Sequence, residues 1–264
     1  KIENMFGPVD TEEGEMQEKN IPSASKYSDG YNFLDEETGS SGMKEYALES
    51  QLRNGFIRKV YGILSCQLLM TCAFCTIAIY NTSINTFITT NIWLFYVAMF
   101  SSFGLLAALF CYKSIHPLNL FLLAAWTFVE AYTVAIICAM YANAGEGKLV
   151  VEALVLTGST FIGLSTYAWY ATKRGVDFSW MGAGLGSALW VLIFWGMFSM
   201  IFGFEGGSMY CLFGTLIFCG YIVYDTHMIM TRLGYDDYIL GAIMLYLDII
   251  NLFLFILELL SKRN

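Results

Sequence analysis

Residues 220–257 read GYIVYDTHMIMTRLGYDDYILGAIMLYLDIINLFLFIL, two apolar runs joined by the short polar connector TRLGYDD, with one aspartate inside each run. Those acids are Asp225 and Asp248, and no Lys or Arg lies at comparable depth beside them. A carboxylate in hydrocarbon is costly unless it is protonated, paired or bound to a cation, so acids placed there mark function. The midpoint between positions 225 and 248 falls at Asp236 and Asp237, inside the connector. An antiparallel hairpin therefore brings both carboxylates to one depth, roughly 10 to 15 Å below the membrane surface at a rise of about 1.5 Å per residue.

Composition extends this reading to the whole chain. Of 264 residues, 57% are hydrophobic and 14% charged, against about 25% charged in a soluble domain. A membrane-crossing helix needs about 20 apolar residues. Seven stretches qualify, at 57–80, 91–112, 118–141, 149–171, 182–204, 209–230 and 238–260. Their connectors are short, so the chain predicts an all-α membrane protein, a seven-transmembrane-helix bundle occupying residues 49–264.

The formal charge of −8 belongs entirely to the N-terminal arm. Residues 1–50 hold twelve acids against four lysines, and residues 51–264 hold ten acids and ten bases. A neutral membrane body gives no reason to expect a nucleic-acid partner. The arm is acidic, rich in Ser and Gly and without an apolar period, so residues 1–48 are expected to be a disordered cytosolic tail. It shows no basic region followed by a short apolar core, and the first spanning helix is expected to direct insertion.

Basic residues near span ends set orientation. Arg53, Arg58 and Lys59 precede or open the first span, Lys113 follows the second, Lys173 and Arg174 the fourth, and Arg232 the sixth, whereas the opposite connectors hold only Lys148. The N-terminus is expected to be cytosolic. Lys262 and Arg263 run against this rule, because seven full crossings place them on the other side; a re-entrant last segment is the alternative.

Two close carboxylates in a low dielectric repel when both are ionised, so Asp225 and Asp248 tend to share a proton. Such a pair is a pH-sensitive clasp between two helices, or an entry point for a cation; a static hydrogen bond that fixes the bundle is the plainer alternative. Oxygen ligands suit a hard cation such as calcium. Glu130, in FVEAYTV near the centre of the third span, equally lacks a basic partner and reads as a further acid on a cation path or a protonated donor. Tyr221 and Asn251 lie four and three residues from the two aspartates and share their helix faces as supporting polar groups. Glu152 and Glu258 lie near span ends, where they reach the interface.

Other signals fail. Cys72 and Cys75 have a C-x-x-C spacing inside an apolar helix, with His116 and His227 far apart, and read as small buried hydrophobes. GAGLGSA at 182–188 follows no strand, so Gly182 and Gly186 read as a small-residue packing face. Asn81-Thr-Ser83 is a glycosylation acceptor sequence that abuts the membrane. His227 points away from Asp225 and nearer the cytosolic end. No hydrolase, metalloprotease or nucleotide-loop motif occurs. Intramembrane aspartyl proteases also pair a Tyr-Asp on a sixth helix with an aspartate on a seventh, but the second site here is Leu-Tyr-Leu-Asp rather than Gly-x-Gly-Asp. An enzyme is not expected, nor a cofactor.

FIRKVYGILSCQLL at 56–69, HPLNLFLL at 116–123 with FVEAYTV at 128–134, GYIVYDTH at 220–227 and AIMLYLDIINLFLFIL at 242–257 resemble the marks of the Bax inhibitor-1 family, also called the transmembrane Bax inhibitor motif or Lifeguard family. The HPLNL stretch and short connectors look nearest to its Lifeguard-4, or Golgi anti-apoptotic, branch. The resemblance covers about residues 53–264. It implies a seven-helix fold, calcium leak from Golgi or endoplasmic reticulum stores, a pH-sensitive latch and suppression of cell death. Asp225 and Asp248 then correspond to the latch, with Glu130 as the matching acid of the third helix. The implied partners are calcium, protons, the lipid bilayer, and cell-death regulators or calcium-release channels. The tail departs from the Pro- and Gly-rich arms of some Lifeguard branches, and no arginine lies deep in the second span, where some bacterial relatives carry a counter-charge. Two other functions stay open: a non-conducting regulatory adaptor and a proton/calcium exchanger.

Overall fold

The computed structural model describes residues 25–113, 115–203 and 207–263. It separates into two units, Lys1–Ser50 and Gln51–Asn264. No strand occurs among the described residues; eight helices carry them. These are α1 (Ser25–Tyr80), α2 (Thr82–Thr90), α3 (Trp93–Tyr112), α4 (Leu118–Asn143), α5 (Gly147–Lys173), α6 (Met181–Phe202), α7 (Gly207–Thr231) and α8 (Tyr238–Ser261). Seven of them are long and apolar enough to cross a membrane, the first over Ala47–Tyr80 and the others being α3 to α8. Hydrocarbon offers no partner for an open N–H or C=O, so each apolar block closes its own backbone bonds as a helix. Hydropathy blocks therefore coincide with the helices to within a few residues at most ends.

The largest departure is at the N-terminal end. Residues 25–48, assigned above to a disordered tail, are helical as part of α1, while residues 1–24 lie outside the described residues. The physical reason is cooperativity: an apolar helix already formed supplies the nucleus, and each added residue needs only propagation.

The short helix α2 was not anticipated in the connector. Asn81 caps it, its Oδ1 accepting from the Ile84 N–H at 3.1 Å. Ile88 then buries against Ala78, Ala135, Ile136 and Ala139, so packing offsets the low helix propensity of a Thr-rich segment. The asparagine of the glycosylation sequence thus serves as a helix cap. At the other connectors, Pro117 stands immediately before α4, and Gly203 closes α6 in the left-handed region at φ +69°.

α8 is the centre of the bundle. In its most apolar window 67% of residues are buried, against 6% in α6, so α8 packs protein on most sides while α6 presents itself to lipid. Ile222 and Ile229 of α7 and Leu245, Tyr246, Leu252 and Leu257 of α8 are fully buried. α8 is also unbroken and reaches both ends of the bundle. At its start Asp237 pairs with Lys113 at 3.0 Å, and at its finish the Ser261 hydroxyl donates to Glu146 Oε2 at 2.9 Å. Lys113 follows α3 and Glu146 follows α4, so these are opposite ends, and the re-entrant alternative is set aside.

Small residues set the close approaches around α7. A Cβ on Gly182 would stand 2.7 Å from the Tyr224 hydroxyl, and one on Gly220 would stand 2.7 Å from Leu185. Gly186, expected to share the packing face of Gly182, has open space instead; four residues advance a helix by about 400°, and that drift carries it off the contact.

Candidate functional site

The α7–α8 hairpin forms as the sequence geometry requires, and Asp225 and Asp248 come close enough inside it to interact directly. They are 4% and 5% exposed. Two carboxylates this close in a low dielectric do not both ionise cheaply, and such a pair tends to share a proton. Asp248 Oδ2 is buried and makes no hydrogen bond within the protein. No Lys or Arg among the described residues forms an ion pair with either acid; the ion pairs present involve Lys113, His227, Arg232 and Lys262.

The end of the hairpin is held from α1. Arg53, read from sequence only as an orientation charge, donates from Nη1 to the Leu233 carbonyl at 2.7 Å and to the Ile229 carbonyl at 3.4 Å. Its guanidinium also lies 4.6 Å from the Tyr235 ring centroid. Arg53 thus reaches one carbonyl in the last turn of α7 and one in the connector just beyond it, where a positive charge is favoured.

The supporting residues separate. Tyr221 lies in the electrostatic field of both aspartates. Asn251 instead folds its amide onto its own helix, donating to the Leu247 carbonyl at 2.8 Å. Glu130 is placed elsewhere: it accepts from the Ser102 hydroxyl of α3, and Ser102 in turn accepts from Trp126 Nε1 at 3.1 Å. On that side of α8 the Tyr246 hydroxyl meets Thr71 Oγ1 at 2.8 Å, and Gln67 Nε2 donates to Thr127 Oγ1 at 2.9 Å. Tyr246 and Asp248 are about 200° apart around the helix, so the polar groups around Glu130 and the aspartate pair lie on different sides of α8.

A third polar group was missed. His227 is 2% exposed; its Nε2 lies 2.9 Å from Asp177 Oδ1 and its Nδ1 lies 3.0 Å from Thr172 Oγ1. Asp177 sits in the α5–α6 connector, where hydrogen bonds from the Ser179 hydroxyl and N–H, then from His227, and the charge of Arg232, hold its carboxyl down at about 2. An ionised acceptor there makes Nε2 the donor. Position 177 is 50 residues from His227, and only the sequence DFS at a helix boundary, a common capping pattern, signalled it. As expected, His227 makes no hydrogen bond to Asp225.

The cysteines are all free. Among the described residues, no three His, Cys, Asp or Glu side chains converge to hold a metal ion. Calcium takes about six to eight oxygens, more than one aspartate pair supplies.

Comparison with known proteins agrees with this architecture. The family model described as Inhibitor of apoptosis-promoting Bax1 matches residues 53–264. A BI1-like protein of Arabidopsis thaliana is 43% identical over 218 residues, covering 82% of this chain and 84% of that protein. The Golgi anti-apoptotic protein of vaccinia virus (strain Lister) is 38% identical over 250 residues, covering 94% and 99%. Protein lifeguard 4 of Mus musculus is 40% identical over 214 residues, covering 81% and 87%. The chain belongs to the Bax inhibitor family.

Proposed function

We propose that this Bax inhibitor family member is a pH-sensitive calcium leak channel of Golgi or endoplasmic reticulum membrane that lowers store calcium and so suppresses cell death. The observation that carries the reading is the meeting of Asp225 and Asp248, buried and without a basic partner. With one proton between them the pair holds α7 to α8. Loss of that proton leaves two like charges at close range in a low dielectric, and the repulsion is relieved by separation of the helices or by entry of a cation. Tyr221 stands near the pair as a polar lining group, and Glu130 supplies a second acidic station on the other side of α8.

The Arg53, Arg58, Lys59, Lys113, Lys173, Arg174 and Arg232 end is assigned to the cytosol by the excess of basic residues. The pair then lies toward the cytosolic side and responds to cytosolic pH. Calcium-loaded liposomes containing the purified protein test this. Wild-type efflux should rise with pH, and Asp225→Asn and Asp248→Asn should each abolish that dependence. Unchanged efflux and an unchanged pH response in both variants would falsify the mechanism.

A non-conducting regulator of cell-death or calcium-release proteins is the second reading, favoured by the vaccinia virus relative, whose name describes protection from apoptosis and not transport. Such a protein gives no flux in liposomes without its partner. A proton/calcium exchanger uses the same acids but moves protons against calcium, which a lumenal pH dye records.

A further inference from the structure

The sequence left one conflict over charge: Lys148, Lys262 and Arg263 lie at the end of the bundle opposite the basic-rich one. Lys262 is accounted for, since its Nζ pairs with Glu258 at 2.6 Å. Lys148 and Arg263 form no ion pair among the described residues, and both line one groove of about 650 Å³ between the first turns of α5 and the end of α8. The groove floor is apolar. Val151 and Val155, one helical turn apart and 59% and 64% exposed, face outward with Leu156, and Leu260 closes the α8 side. Two unpaired cations at the mouth of an apolar trough, at the depth where a membrane meets water, match a lipid with a negatively charged headgroup and a chain to lay along the valines.

We propose that this groove binds one anionic phospholipid, its phosphate held between Lys148 and Arg263 and an acyl chain lying over Val151, Val155 and Leu156. The volume is that of an ordinary small-molecule site. The N-terminus of α5 adds a favourable partial charge and the C-terminus of α8 an opposing one, so the two side chains decide the sign. Glu152 also lines the groove. It follows Lys148 by four residues, about 6 Å deeper along α5, below the phosphate and beside the lipid's glycerol region. Its carboxylate therefore limits the affinity without occupying the phosphate position. The site is independent of the aspartate pair and of calcium conduction.

Native mass spectrometry of the full chain, released from membranes of mixed phosphatidylglycerol and phosphatidylcholine, tests the assignment. Wild-type protein should retain phosphatidylglycerol in preference, and the Lys148→Gln and Arg263→Gln variants should each lose about fivefold of that preference. Glu152→Gln should increase it, a result that loss of fold cannot imitate. Lys113→Gln, at the opposite end, should leave it unchanged. Equal retention of the two lipids by the wild type overturns the proposal, as does full preference in the Lys148→Gln/Arg263→Gln double variant or a decrease in Glu152→Gln.

Discussion

α7 carries two acid-centred groups within one helical turn, and they differ in almost every respect. Asp225 faces α8, is buried, and has another acid as its partner. His227, two residues on, faces the α5–α6 connector and ties it down through Asp177, an exposed carboxylate with Ser179 and Arg232 around it. The second group resembles an ordinary structural tether: every charge has an opposite or a donor, and the acid stays in water. The first has no opposite charge beside it, so its charge is balanced only by a proton or a cation. One helix thus presents a fastening and a buried acid pair on two faces by rotation alone.

The strongest way to break the contrast is to give the aspartate pair what the tether has. Asp225→Lys places a cation against Asp248, and the resulting ion pair needs neither proton nor calcium. Liposome efflux in that variant should fall to the level of empty liposomes at every pH; residual pH-dependent efflux would mean that the gate lies elsewhere.

Packing between α7 and α8 comes next. A Cβ on Gly214 would stand 2.5 Å from the Phe255 ring, so Gly214→Leu overfills the interface and should cost about 1–3 kcal/mol. A thermal melt in detergent reads this, and Gly214→Leu/Phe255→Ala should recover most of the loss because the two positions share one contact.

His227→Ala removes both bonds of the tether and strands Thr172, at a cost of about 1–3 kcal/mol. The melting midpoint should drop while the pH response of efflux keeps its position. A shifted response would show that the two groups are coupled and not separate.

The smallest effect belongs to Asp177→Asn, where solvent screens the charge and the midpoint should move little at neutral pH. Its carboxyl is depressed from 3.8 to about 2, so the stabilisation it gives is complete above about 4 and lost as pH falls through about 2. A melt series between pH 5 and 2 should therefore converge for wild type and variant only at the acid end.

Much of the site was legible beforehand for a specific reason. The TRLGYDD connector is too short for anything but a hairpin, and equal distances from its centre put Asp225 and Asp248 at one depth. Glu130 gave no such constraint: it belongs to a span three connectors before α7, and depth alone does not say which side of α8 it faces. Asn251 shows the same limit, since helical spacing allowed it to serve Asp248 but an amide within reach of the Leu247 carbonyl takes that acceptor. Asp177 was hidden because an acid in a loop carries no burial cost to draw notice.

The amino-acid sequence by itself determined the seven apolar helices, their order, and the depth of the two aspartates, because a bilayer forces every backbone bond to close locally and makes length and hydropathy sufficient. Only the tertiary structure decided which faces meet. The contact of Asp225 with Asp248, the placing of Glu130 across α8 from them, the bond from His227 to Asp177, and the full crossing of α8 to Glu146 all depend on how helices are rotated against one another. That rotation is set by close packing between residues far apart in the chain, such as Gly182 against Tyr224 and Gly214 against Phe255, and no local pattern encodes it.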